Sequence, residues 1–71
     1  MKKILRQRFG EKVKKMRINT GVTQEVFAEK CGFARPYMSR IETGTANPSL
    51  DAIDVLAVAL NVSVEELFRG L

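Results

Sequence analysis

The stretch Gln24–Thr43, QEVFAEKCGFARPYMSRIET, decides the fold of this 71-residue chain. Apolar residues recur through it at helical spacing, namely Phe27, Cys31, Phe33, Met38 and Ile41. Ala28 is small enough for two helices to cross closely, and Gly32 tolerates the positive φ that a tight turn requires. The stretch therefore predicts two short helices that meet at a steep angle around Gly32.

Turn residues divide the rest of the chain into further short helices. The first helix is predicted to end at residues 19–21, and the second begins after the N-cap Thr23. The third is predicted from about Arg35 to Thr43, with Pro36 in its first turn. Apolar stripes identify the first and fourth helices, with Leu5, Phe9, Val13 and Met16 on one and Leu50, Ile53, Leu56, Ala57 and Leu60 on the other.

A fourth helix is predicted to start near Ser49, and the S-x-x-E pattern at Ser63 predicts a short fifth one. No segment alternates apolar and polar residues for long enough to form a sheet. We therefore expect a compact, all-α domain of five helices that occupies residues 1–71.

Composition excludes several classes of protein. There is one cysteine, Cys31, and no histidine, so we expect no internal disulfide, no zinc site and no catalytic group of residues. We expect neither an enzyme nor a protein that binds a cofactor, a metal or a small molecule. No apolar stretch approaches the roughly 18 residues of a membrane span, and Arg6 and Arg8 interrupt any signal-peptide core. The expected compartment is the cytoplasm.

Charge is distributed unevenly along the chain, whose net charge is +4. Residues 1–17 hold eight cations against one anion, a net charge of +7, whereas residues 45–71 hold one cation against four anions, a net charge of −3. This polarity suggests a polyanion as partner. Two alternatives are a solvated basic helix face and a basic amphipathic helix that lies on a membrane surface or binds a protein.

The whole arrangement resembles the lambda-repressor/Cro-like family of helix-turn-helix DNA-binding regulators. The resemblance extends from the motif at residues 24–43 into its flanks, at Phe9-Gly10, Arg17, Gly21–Glu25, Ser39–Gly44, Asn47–Leu50 and Leu56–Ser63. Within the family, the chain looks most similar to the controller proteins of restriction-modification operons, although phage repressors and antitoxin regulators share most of the pattern. The resemblance implies a bacterial or phage protein that works at the nucleoid.

The third helix is expected to present a polar, cationic stripe opposite Met38 and Ile41, with a width that suits a major groove. The resemblance makes it the recognition helix and places Arg35, Pro36, Tyr37 and Arg40 where they meet base edges or adjoining phosphates. Ser39 lies on the same exposed stripe and is a further candidate for base readout, and a phosphate contact is the alternative for Tyr37. The two arginines are expected to bind guanine O6 and N7 in a bidentate manner. Ala34 departs from the family pattern, because it lacks a side chain that can cap this helix.

Phosphate contacts are expected from the N-terminus of the second helix, from the loop after the third and from the first helix. The candidates are Thr23, Gln24, Lys14, Thr43, Thr45 and Asn47. The resemblance also implies that Arg17 and Glu42 form a structural ion pair behind the DNA-binding face, and a direct phosphate contact is the alternative role of Arg17.

A single 8 kDa domain offers too little contact for tight specific binding, so we expect a homodimer on a palindromic double-stranded operator. The C-terminal segment 55–71 has an apolar surplus and is the candidate dimer interface. Its proposed residues are Val55, Val58, Val62, Leu67 and Phe68, and packing in the core of the monomer is the alternative for each of them. The sequence thus predicts a sequence-specific DNA-binding transcriptional regulator.

Overall fold

Five α-helices form between residues 3 and 71, the part of the chain that this computed structural model describes. They are α1 (Leu5–Asn19), α2 (Gln24–Cys31), α3 (Arg35–Thr43), α4 (Leu50–Leu60) and α5 (Val64–Phe68). The same residues contain no strand, which confirms the predicted all-α class. Met1 and Lys2, at the start of the basic segment, lie outside the described residues. Within residues 3–71, no helix combines the length and the apolar character needed to cross a membrane.

Hydroxyl side chains begin three of the helices. Each accepts a hydrogen bond from the backbone N–H three residues later, in the pairs Thr23 with Val26, Ser49 with Ala52 and Ser63 with Glu66. These bonds satisfy amide groups that have no partner within the helix. Ala34 occupies the same position before α3 and makes no such bond, as its side chain predicted.

Gly32 ends α2 in the left-handed conformation, with φ at 73°. The chain then reverses so that the Phe33 N–H donates to the Ala28 carbonyl oxygen over 2.9 Å. A residue with a Cβ would be strained at this φ, which is why the turn between α2 and α3 needs glycine.

The core lies where α1, α2, α3, α4 and α5 meet. Its largest fully buried side chains are Val13, Phe27, Met38, Ile41, Leu56 and Leu67. Two residues predicted on apolar stripes are instead exposed, since Leu5 is 50% and Leu50 is 84% accessible. Each is the first residue of its helix, where the side chain points back toward the N-terminus and beyond the packed neighbours.

Helix α1 crosses α3 at Gly10, which is buried in the middle of α1. A Cβ at this position would lie 2.1 Å from the carbonyl oxygen of Ile41. Glycine inside a helix lowers its intrinsic stability, but here it permits a backbone contact that no larger residue allows. This contact fixes the position of α3 on α1.

Two half-buried cations of the basic segment bind carbonyl oxygens at and after the end of α5. Lys12 Nζ donates to the carbonyl oxygens of Glu66 and Arg69 over 3.2 and 2.6 Å. The guanidinium of Arg8 donates to the carbonyl oxygen of Leu71. Carbonyl groups at a helix C-terminus lack partners within the helix and attract cations, so part of the N-terminal charge holds the last helix in place.

Candidate nucleic-acid interface

Helix α3 has one buried and one exposed side. Met38 and Ile41 are 0% and 1% accessible and anchor its inner side in the core. Its outer side presents Arg35, Pro36 and Arg40 to solvent. The two exposed arginines therefore project from a helix whose orientation the core determines, as the sequence predicted for a recognition helix.

Tyr37 and Ser39 occupy the borders of this outer side and are half-buried. The ring of Tyr37 packs edge-to-face against Phe33, with the ring centroids 5.1 Å apart and the planes at 76°. Because this packing restricts the ring, Tyr37 has less freedom to approach a base than the fully exposed side chains have.

Arg17 on α1 and Glu42 on α3 form a buried, bidentate ion pair, the unit that the resemblance implied. Arg17 Nε lies 2.8 Å from Glu42 Oε2, and Arg17 Nη2 lies 3.1 Å from Glu42 Oε1. The residues are 8% and 4% accessible, and Arg17 Nη1 also donates to the Val22 carbonyl oxygen over 2.8 Å. The pair joins α1 to the end of α3. Because Arg17 is buried, its guanidinium binds groups within the protein.

Gln24 links this ion pair to the exposed surface. Its Nε2 donates to Glu42 Oε1 over 3.1 Å, and its Oε1 lies 3.5 Å from Arg35 Nε. A carboxylate only accepts and a guanidinium only donates, so the two neighbours determine which way the amide points. One of the two amide hydrogens expected to be available for a phosphate is thus used inside the protein.

Arg35 has a second partner that the sequence pattern does not predict. Its Nη1 lies 3.3 Å from Oε2 of Glu25, in the first turn of α2. Both side chains are exposed, at 60% and 72% accessibility. The only sequence signal for this contact is the opposite charge of two residues that flank the turn, ten positions apart, and such a signal is common on any protein surface.

The loop after α3 offers fewer free donors than expected. The Thr43 hydroxyl donates to the Ser39 carbonyl oxygen over 2.9 Å, and the Thr45 hydroxyl lies 3.3 Å from the Arg40 carbonyl oxygen. These hydroxyl hydrogens cap the end of α3, so the expectation of two free hydroxyl donors does not fit this conformation. Asn47 is exposed.

The remaining phosphate candidates lie on α1 and at the start of α2. Lys14 is exposed on α1. The Thr23 hydroxyl oxygen accepts from the Val26 N–H as the α2 N-cap. Its hydroxyl hydrogen and the positive end of the helix dipole are what it offers to a phosphate.

The predicted dimer residues fall into three groups. Leu67 is 0% accessible and belongs to the core of the monomer, so its assignment to an intermolecular surface is wrong. Phe68 is half-buried and stacks on Phe9, with the ring centroids 5.1 Å apart. Val55 and Val62 are half-buried, whereas Val58 is 73% accessible. Of the five predicted residues, Val58 on α4 therefore offers a partner the most exposed apolar side chain.

Comparison with known proteins identifies relatives of this architecture. The helix-turn-helix domain family matches residues 8–69. Control protein C.BamHI from Bacillus amyloliquefaciens is 41% identical over 64 residues, which cover 89% of this chain and 79% of that protein.

Solved structures give the same result. The restriction-modification controller protein C.AhdI from Aeromonas hydrophila matches with a TM-score of 0.84 at 37% identity, over 87% of this chain and 94% of that one. The controller protein C.Esp1396I, solved as a tetramer with its natural 35 base-pair operator, matches with a TM-score of 0.85 at 29% identity, over 96% of this chain and 90% of that one. The chain therefore belongs to the lambda-repressor-like helix-turn-helix family of DNA-binding regulators.

Proposed function

We propose that this protein is a sequence-specific transcriptional regulator that binds double-stranded DNA as a homodimer and inserts α3 into the major groove. The observation that carries the proposal is the exposure of Arg35 and Arg40 on a helix whose other side is locked into the core by Met38 and Ile41. Arginine presents its donors in a planar fork that matches guanine O6 and N7. A rigid support for such a fork is what base discrimination requires.

Phosphate binding is assigned to the groups that surround α3. The N-terminus of α2 presents backbone N–H groups and the positive end of a helix dipole, which favour an anion. Lys14 and Asn47 are exposed and can donate to the DNA backbone. These contacts would set the register of the protein on the duplex, while α3 supplies the discrimination between sequences.

Dimerisation is assigned to the exposed side of α4, with Val58 at its centre and the half-buried Val55 and Val62 beside it. This segment carries net negative charge, so it does not compete with the cationic side for DNA. A two-fold dimer would place two copies of α3 in successive major grooves, about 34 Å apart.

The named relatives favour a restriction-modification controller among the regulators of this fold. C.BamHI is a control protein, and C.AhdI and C.Esp1396I are restriction-modification controller proteins. We therefore propose that this chain regulates a restriction-modification operon, in the cytoplasm and at the nucleoid.

Selection of bound sites from a random pool of duplex oligonucleotides tests the proposed function. We expect enrichment of a palindrome whose half-sites are one helical turn apart and contain guanine. If no sequence is enriched, or if the protein binds anionic vesicles with the same salt dependence as DNA, the proposed function is wrong.

The dimer assignment has its own test in Val58→Asp. A charge at the centre of an apolar interface should convert the dimer to a monomer in sedimentation experiments without unfolding it, because Val58 is 73% accessible in the monomer. Val26→Asp is the matched control, since Val26 is a 54% accessible valine on α2. A wild-type protein that remains monomeric at micromolar concentration, with and without the selected DNA, would refute the assignment.

A further inference from the structure

We propose that Glu25 is a positioning residue that orients Arg35 toward a guanine, so that Glu25 determines specificity without touching a base. The inference deepens the proposed function and rests on it. It starts from the contact between Arg35 Nη1 and Glu25 Oε2 at 3.3 Å, which connects α2 to the first residue of the recognition helix.

Two nitrogens of the Arg35 guanidinium have protein partners, on different sides of the group. Glu25 accepts from Nη1, and Gln24 Oε1 lies 3.5 Å from Nε. A guanidinium has five N–H donors, so two such contacts leave three free. We assign the inner hydrogen of Nη1 to Glu25, so that the outer hydrogens of Nη1 and Nη2 form the fork that binds guanine O6 and N7.

The support continues into the buried part of the protein. Gln24 Nε2 donates to Glu42 Oε1 over 3.1 Å, and Glu42 is held by Arg17. Arg35 is thereby linked to the junction of α1 and α3, although its own side chain is 60% accessible. An exposed arginine without such partners would lose much more rotamer freedom when it binds a base.

Charge gives Glu25 a second effect on specificity. In a complex with the correct guanine, the outer fork binds the base while Nη1 stays on Glu25. When Arg35 instead leaves Glu25 to bind a phosphate in a non-specific complex, the unpaired carboxylate is left near the polyanion. The pair therefore favours the specific complex and disfavours the non-specific one.

The test measures discrimination between guanine and adenine at the position that Arg35→Ala relaxes in the selected operator. Glu25→Gln removes the charge and the strong acceptor, and Glu29→Gln is the matched control because Glu29 is an exposed acid one turn later on the same helix. We expect Glu25→Gln to lower the discrimination about three-fold, within the range of measured surface ion pairs. Glu29→Gln should leave it unchanged, although both variants raise affinity for all DNA.

A double-mutant cycle separates this role from a general charge effect. In the Arg35→Ala background, Glu25→Gln should no longer change discrimination at that position. The inference is overturned if the two glutamate variants alter discrimination equally, if neither alters it, or if Glu25→Gln still alters it without Arg35. Specific binding by the wild type together with any of these results refutes the role of Glu25 alone, whereas absence of specific binding refutes the proposed function as well.

Discussion

Arg17 and Glu42 form a bidentate ion pair in the interior, with Nε to Oε2 at 2.8 Å and Nη2 to Oε1 at 3.1 Å. It connects the first helix to the end of the third, and it supports Gln24 through a further hydrogen bond of 3.1 Å. One interaction thus serves both the stability of the fold and the placement of polar groups at the interface.

Arg17→Ala is expected to lower the free energy of unfolding by about 3–5 kcal/mol, because it strands the carboxylate of Glu42 in the interior. Urea denaturation measures the change. Lys14→Ala on the same helix is the control and should alter stability by less than about 0.5 kcal/mol, since Lys14 is exposed. Equal effects of the two substitutions would contradict a buried structural role for Arg17.

Gly10→Ala is expected to destabilise the protein although alanine is the better helix former. The new Cβ would lie 2.1 Å from the Ile41 carbonyl oxygen, so α1 and α3 would have to separate. Overpacking of this kind costs about 1–3 kcal/mol, which exceeds the gain of about 1 kcal/mol in helix propensity. A higher unfolding midpoint for Gly10→Ala would show that the two helices do not meet at this residue.

Ala34→Ser is expected to stabilise the protein by about 1 kcal/mol, because it supplies the cap that α3 lacks. In a domain of this size the thermal midpoint should rise by about 4–8 °C. Ser63→Ala removes an existing cap and should lower the thermal midpoint. An unchanged midpoint for Ala34→Ser would mean that the first turn of α3 gains nothing from a side-chain acceptor.

The buried thiol of Cys31 predicts that the free energy of unfolding depends on pH. Burial raises the pKa of its thiol, and the nearby Lys30 offsets this only in part. In the unfolded chain the thiol ionises at its ordinary pKa. The contribution of Cys31 to the stability of the folded protein is therefore complete below that pKa, and it is lost as the pH rises toward the higher pKa of the folded state.

The burial of the Cys31 thiol also predicts its reactivity. Alkylation of Cys31 near pH 8 should be much faster in urea than in the native protein. Equal rates would contradict the burial of this thiol.

The helix-turn-helix motif at residues 24–43 was predictable from the sequence because it requires particular residues only at nearby positions of the chain. Gly32 and Ala28 meet conditions that any steep helix pair imposes, and Thr23 and Ser63 are caps that short-range chemistry identifies. Each depends on neighbours within a few residues, so the sequence alone determines the outcome.

The features that were predicted wrongly or not at all depend on contacts between segments that are distant in the sequence. Leu67 looked like surplus apolar surface, but α5 packs on α1 and α4 and buries it completely. Leu50 belongs to the apolar stripe of α4 by spacing, yet the core does not reach the first residue of that helix. The contact of Glu25 with Arg35 likewise depends on the angle between α2 and α3, which a pattern of charges does not reveal.

Base recognition by α3 is tested most directly by comparing Arg40→Ala with Lys14→Ala on the selected operator and on all its single-base variants, over a salt series. Arg40→Ala should weaken binding to the selected site and relax the preference at one base position, a loss of about 1–3 kcal/mol of discrimination. Lys14→Ala should weaken binding to every sequence equally and reduce the salt slope by about one. If Arg40→Ala instead weakens binding to all sequences equally, Arg40 does not contact a base and α3 does not read the sequence through it.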